Sequence, residues 1–302
     1  MLNLLLLILI VIMMMMSTAF FTLFERKLMG IFHYRKGPNK VSFWGMLQPF
    51  SDSMKLLTKE FFTPLKSNNY IYMISPLFML ILISLLWIIY PFTSNIFMFK
   101  FNMLFFLSIL SMSSYSIMLM GWTSASSFSM IGAIRTVAQT ISYEIIFSIS
   151  LMMMMILLSS LNFYSLMYYN MMFVFFMYPN FVILLMFISM LAEINRTPFD
   201  LSESESELVS GFNIEYSSAY FTLIFLSEYS SIIMMSILLT MIFFYSSFLH
   251  IFFYMKIIFM LFFITWIRIT FPRLRYDKLM YLCWFFLVSI ILNNIYLYFI
   301  FN

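Results

Sequence analysis

The chain reads as an all-α, polytopic integral membrane protein of about eight transmembrane helices with an amphipathic helix on its surface, forming a single membrane domain over residues 1–302. Three features point to this. Of the residues 64% are hydrophobic and 9% charged, and the mean hydropathy is +0.99, which leaves too little polar surface to coat a soluble globule of 36.2 kDa. Apolar runs long enough to cross a bilayer recur along the chain, since about 20 helical residues span a ~30 Å hydrocarbon core. All charges except Lys100, Arg135, Glu144, Glu228 and Lys256 fall within residues 25–66, 193–215 and 268–278.

The predicted spans are 2–24, 71–90, 102–121, 143–161, 172–191, 217–245, 250–268 and 280–300. Their apolar runs are unbroken, as in helices, and not the short alternating segments of a membrane barrel. The first has no basic residue ahead of it and ends in Glu25-Arg26-Lys27, with no small-residue cleavage pattern. It therefore reads as a span and not as a cleaved signal. In the 25–70 loop that follows, Leu47, Phe50, Met54, Leu57 and Phe61 recur at helical spacing, which predicts an amphipathic helix over 45–62 suited to the membrane surface. Pro49 belongs to its first turn, and Asp52 can pair with Lys55. The sixth span is long enough to be tilted, bent or broken.

Eight helices place the loops 25–70, 122–142, 192–216 (acidic) and 269–279 (basic) on one side. With Arg268 counted at its helix end, these hold every Lys and Arg except Lys100 and Lys256, and the positive-inside bias makes that side the cytoplasm or its equivalent. Cys283 stands alone, and His33 and His250 are far apart in sequence, so neither a disulfide framework nor a metal site is predicted. No phosphate-cradling glycine pattern is present.

The 192–216 loop carries Glu193, Arg196, Asp200, Glu203, Glu205, Glu207 and Glu215. Ionisable groups held against a membrane are costly and read as functional by default. Thr197-Pro198 should end or break the fifth helix, because proline lacks a donor and disfavours a helical predecessor. Glu203, Glu205 and Glu207 then repel one another unless Arg196 or another cation neutralises them. A solvated acidic loop is the competing explanation. Glu228 is harder to dismiss: counted from Glu215 at ~1.5 Å per residue it lies about 20 Å into the sixth helix, where a carboxylate must be protonated, paired or wet. With Glu144, at the start of the fourth span, these groups suggest a polar route from one face into the membrane.

The same residues carry a resemblance. Glu25-Arg26-Lys27, Arg35-Lys36-Gly37-Pro38-Asn39, Gln48-Pro49 through Lys59-Glu60, Gly132-Ala133 through Tyr143-Glu144, and Ala192-Glu193-Ile194-Asn195-Arg196-Thr197-Pro198-Phe199-Asp200-Leu201 occur in order. Glu205 through Asn213, Glu215-Tyr216, Glu228-Tyr229 and Pro272-Arg273-Leu274-Arg275-Tyr276-Asp277 follow. This resembles the subunit 1 family of mitochondrial NADH:ubiquinone oxidoreductase, respiratory complex I. The 32 Met and 40 Phe look like the product of an AT-rich genome in which Met has an additional codon, as in animal mitochondria.

The resemblance implies a multi-pass subunit of the mitochondrial inner membrane, with its main charged loops on the matrix side. It would line the ubiquinone access channel and couple quinone chemistry to proton translocation. Ubiquinone is then the substrate, while flavin and iron–sulfur centres belong to other subunits and no metal is bound by this chain. The implied partners are the quinone-site and iron–sulfur subunits of the matrix arm, neighbouring small membrane subunits and lipids, not nucleic acid. Carried over residue by residue, the quinone passage takes Arg26, Asp52, Phe225 and Arg275. The proton route takes Glu144, Glu193, Arg196, Asp200, Glu203, Glu205, Glu207, Glu215 and Glu228. The alternative is a stand-alone proton-coupled transporter, which would also use buried Glu and Arg near a broken helix but often has an internal repeat, and none is evident here.

Overall fold

The computed structural model describes residues 2–90, 100–158, 160–163, 180–201, 211–244 and 250–301. Within them the main helices are α1 (Leu2–Phe32), α2 (Gln48–Thr58), α3 (Asn69–Leu86), α4 (Asn102–Thr123), α5 (Ser127–Leu158), α6 (Asn180–Glu193), α7 (Ser218–Phe243), α8 (Ile251–Thr270), α9 (Tyr276–Tyr281) and α10 (Val288–Phe301). A π-helical turn, Leu282–Leu287, joins α9 to α10. Among the described residues seven helices are long and apolar enough to cross a membrane, and α6 is a shorter apolar helix. The protein is an all-α, multi-pass membrane protein.

Burial sorts the helices into centre and rim. In their most apolar windows 67% of α7 and 61% of α5 are buried, against 22% of α1 and of the last span. A helix that is apolar all round belongs in a core, and α7 packs against α1, α2, α3 and α8. Helix α4 packs on both α3 and α5, and α5 also holds α6. Little hydrophobic force acts between helices in lipid, so close backbone approach matters. A Cβ built on Gly121 of α4 would lie 2.2 Å from the Ala133 Cβ of α5, so a side chain there would force the two helices apart. Serines of α4 are tolerated because they find carbonyls one turn back, as Ser111 does on Ser108 (2.9 Å) and Ser114 on Ser111 (2.7 Å).

Several boundaries differ from the sequence-based expectation. Helix α1 does not stop at 24 but continues to Phe32, so Glu25, Arg26 and Lys27 are helical. Helix α5 begins at Ser127, which turns most of the expected 122–142 loop into helix. One of its polar residues is anchored inside the bundle: the Gln139 amide donates to the carbonyls of Ala192 (3.0 Å) and Phe199 (2.7 Å). Glu144 therefore lies in the interior of α5, half-buried, and not at the start of a span. Of the span expected over 172–191, the part before residue 180 lies outside the described residues, and the part after it is α6. The sixth span is one continuous helix, α7, and Glu228 lies about 15 Å along it when measured from Ser218.

The amphipathic helix forms as α2 with Pro49 in its first turn, but Leu47, Met54, Leu57 and Phe61 of its apolar stripe are exposed. The side carrying Pro49, Asp52, Ser53 and Leu56 turns toward α1 and α7. Asp52 accepts from Arg26 and from Gln48 (2.9 Å), not from the Lys55 one turn away. Helix α6 ends at Glu193, ahead of a cis Thr197–Pro198 peptide. Beyond it the Leu274 amide donates to the Pro198 carbonyl (2.9 Å), which ties the 194–201 segment to the chain after α8.

Candidate functional site

Three helix faces enclose a cleft of ≈ 400 Å³. Helix α1 supplies Met15, Met16, Thr18, Ala19, Thr22 and Arg26; α2 supplies Pro49, Phe50, Asp52, Ser53 and Leu56; α7 supplies Phe221, Thr222, Phe225, Leu226 and Tyr229. Helical spacing explains the convergence. Thr18, Thr22 and Arg26 recur every four residues on one face of α1, and Thr222, Phe225 and Tyr229 do the same at steps of three and four on α7.

Two of the residues lining this cleft are charged, Arg26 and Asp52. The Arg26 guanidinium binds the Asp52 carboxylate, and both remain partly exposed, at 53% and 34%. The aromatic wall is continuous: Phe221 packs on Phe225 with ring centroids 4.5 Å apart, and Phe225 stacks on Tyr229 at 6.0 Å. Phe20 closes on Phe50 edge to face at 6.1 Å. A mostly apolar trough with an arginine and a carboxylate among its lining suits an amphiphile whose small polar head is joined to a hydrocarbon tail.

A second space lies on another face of α7. It is small, ≈ 50 Å³, and is bounded by α3, α4, α5, α6 and α7 together with the 194–195 segment and Phe212. Its polar lining is Ser113, Thr140, Glu193, Asn195, Glu228 and Ser231. Glu193 Oε1 and Asn195 Oδ1 are buried and accept no hydrogen bond among the described residues. The volume has room for roughly three or four waters, with enough polar partners to hold them. Glu144, one turn after Thr140, is close enough to act electrostatically on Glu193.

Between the two spaces sits a buried ionic cluster. Glu25, 3% exposed, receives Arg268 and lies 3.5 Å from Arg196, which is itself 8% exposed. The Arg196 guanidinium also lies over the Tyr229 ring, 4.7 Å from its centroid. Burial opposes the Arg196 charge, but Glu25 first, then Tyr229 and Glu228, outweigh it and hold its pKa above the ordinary value. Arg196 is therefore a fixed cation.

The structure brings Arg26, Asp52 and Phe225 together in the cleft, and Glu193 and Glu228 together at the cavity. Arg275 does not line the cleft; it is exposed and pairs with Asp277 (3.1 Å). Asp200 is buried and pairs with Arg273 (3.2 Å). Glu215 is held through its carbonyl, which accepts the Tyr72 hydroxyl at 2.6 Å. Glu203, Glu205 and Glu207 lie outside the described residues. Residues absent from the sequence-based set also enter the site, among them Glu25, Arg268 and Tyr229. The available signal for Glu25 is its helical phase: next to Arg26 on one helix, it faces about 100° away and so turns inward when Arg26 turns to the cleft.

Known proteins point the same way. A family model described as NADH dehydrogenase matches residues 4–299. The NADH-ubiquinone oxidoreductase chain 1 of Aedes aegypti is 48% identical over 282 residues, covering 93% of this chain and 90% of that protein. That of Locusta migratoria is 47% identical over 284 residues, again 93% and 90%. The Hylobates lar protein of the same name is 43% identical over 274 residues, 88% of this chain and 86% of its own. Matched along nearly its whole length, the chain belongs to the NADH dehydrogenase family.

Proposed function

We propose that the chain works as the core membrane subunit of a proton-pumping NADH:ubiquinone oxidoreductase, that ubiquinone passes through the α1/α2/α7 cleft, and that the carboxylates on the other face of α7 carry the proton route. The observation that carries this reading is the ≈ 400 Å³ cleft itself, with Arg26 and Asp52 set into apolar walls. Its aromatic and aliphatic lining offers a path for an isoprenoid tail, while Arg26 offers donors to a quinone carbonyl and Asp52 fixes their direction. Arg275, exposed at the start of α9, would meet the head only where another subunit closes over it.

Reduction of ubiquinone to ubiquinol takes two electrons and two protons. In this reading the electrons arrive from flavin and iron–sulfur centres carried by other subunits of the complex, and this chain holds the quinone in place. Among the described residues no group of three or more His, Cys, Asp or Glu could hold a metal ion. Glu144, Glu193 and Glu228, with the small cavity between the last two, form the inner part of a proton route. Arg196, Asp200 and Glu215 are assigned to its loop end, and Glu203, Glu205 and Glu207, outside the described residues, are assigned to the same route by the family resemblance alone. The chain resides in the mitochondrial inner membrane with its charged loops toward the matrix. The family match along nearly the whole chain gives no support to a stand-alone transporter.

A photoreactive ubiquinone added to the intact complex tests the cleft. Label in peptides containing residues 15–26, 49–56 or 221–229, displaced by excess ubiquinone, is the expected result. Displaceable label in this chain confined to other segments would overturn the assignment.

A further inference from the structure

Adjacent residues on two helices divide their labour in the same way. On α1, Arg26 lines the cleft while Glu25 turns into the protein; on α7, Tyr229 lines the cleft while Glu228 lines the small cavity. Consecutive helical residues point about 100° apart, so each pair can face two spaces at once. Arg196 joins the two inward members to the cleft wall. It lies 3.5 Å from Glu25, stacks at 4.7 Å over Tyr229, and is within electrostatic reach of Glu228.

We propose that Glu25 is a positioning residue for the reaction: it holds the Arg196 guanidinium over Tyr229, so that an occupant pressing on the Tyr229 side of the cleft displaces a buried cation beside the cleft wall. Three features carry this. Glu25 is nearly sealed from solvent, and its Oε1 takes both Arg268 and Arg196, so two guanidinium groups converge on one carboxylate oxygen. A flat guanidinium over a ring responds to small ring displacements, and it does so without solvent screening when buried. Arg196 follows α6 in the segment after Glu193, so a shift of Arg196 also pulls on the chain that forms one wall of the cavity. Glu25 itself lines neither the cleft nor the cavity; it acts through Arg196 and through its own interaction with Tyr229.

The proposal rests on the reading of the cleft as the quinone passage, and the test separates the two. Complexes assembled with Glu25→Gln, Arg196→Lys, both changes together, and Arg26→Gln are compared for KM and kcat with a short-tailed ubiquinone and for protons translocated per electron pair. Glu25→Gln should raise KM by about threefold to tenfold, the scale of a coupling between sites, and should lower the proton ratio in the same preparation. The effect of the double variant should fall clearly short of the sum of the two single effects, because the shared Glu25–Arg196 interaction is being removed twice. Glu25→Asp, which keeps the charge, should recover part of the loss.

Unchanged KM and proton ratio in assembled Glu25→Gln, or effects that simply add to those of Arg196→Lys, would overturn the proposal. Should Glu25→Gln fail to assemble, Arg196→Lys decides: it keeps the charge near Glu25 but loses the flat stack on Tyr229, and a normal KM there overturns the proposal. If Arg26→Gln alters KM while the Glu25 and Arg196 variants do not, the positioning role fails and the cleft reading stands. If no variant alters KM, the cleft reading fails as well.

Discussion

The cleft on one face of α7 and the cavity on another share that helix and little else. Both are lined mainly by apolar side chains; the first is ≈ 400 Å³ and carries an arginine–aspartate pair that is partly exposed, while the second is ≈ 50 Å³ and holds two glutamates. This contrast sets what each can move. In the proposed reading the large trough admits a hydrocarbon tail, whereas the small pocket, with room for a few waters between carboxylates, relays protons and excludes anything larger. In that reading helix α7 separates the two tasks, and Arg196 is a charged group that meets the cleft wall at Tyr229 and is in electrostatic reach of Glu228.

The separation is lost most completely when the groups lying between the spaces are removed. Glu25→Ala leaves Arg196 and Arg268 without their buried carboxylate, and breaking such a pair costs about 3–5 kcal/mol. Loss of most of the assembled complex on a native gel is the expected result. Glu193→Gln keeps the shape of the cavity but removes an ionisable group, and should reduce proton-coupled turnover about tenfold or more at normal assembly.

Smaller changes probe the cleft side. Phe225→Ala interrupts the Phe221–Phe225–Tyr229 wall and should raise the quinone KM about tenfold, the scale of about 1–3 kcal/mol for lost apolar contact, with the proton ratio unchanged. Asp52→Asn loses a partly exposed ion pair, so thermal stability of the complex should change by less than about 1 kcal/mol. Its effect should emerge instead as a modest rise in KM, because Arg26 is no longer held in direction. A large fall in stability with normal KM would mean that the pair serves as a structural clamp.

The spans are legible in the sequence because unbroken apolar runs have one cheap solution in a bilayer, and α3, α4, α7 and α8 begin and end within a few residues of expectation. The start of α5 is not legible. Arg135, Gln139 and neighbouring hydroxyls interrupt its apolar pattern, and only tertiary partners such as the Ala192 and Phe199 carbonyls make that stretch helical. Hydropathy alone cannot see a carbonyl supplied by a distant segment.

The candidate site is legible in part for the same reason. Arg26, Asp52 and Phe225 enter through family resemblance, since no periodicity joins residues from three helices. Glu228 stands out by itself as a carboxylate in an apolar run. In the sequence Glu25 is merely a charge at the end of a span, because charges mark where polarity begins but not where the helix stops. Its burial follows from the extension of α1 to Phe32, which keeps Glu25 on the inward face of the helix while Arg26 stays exposed.

For the division of labour across α7 the decisive measurement is Glu228→Gln in the intact complex, with quinone KM and protons per electron pair taken on the same vesicles. The proton ratio should fall while KM stays within about twofold, since Glu228 lines the cavity and not the cleft. A raised KM with an unchanged proton ratio would contradict the separation of the two spaces.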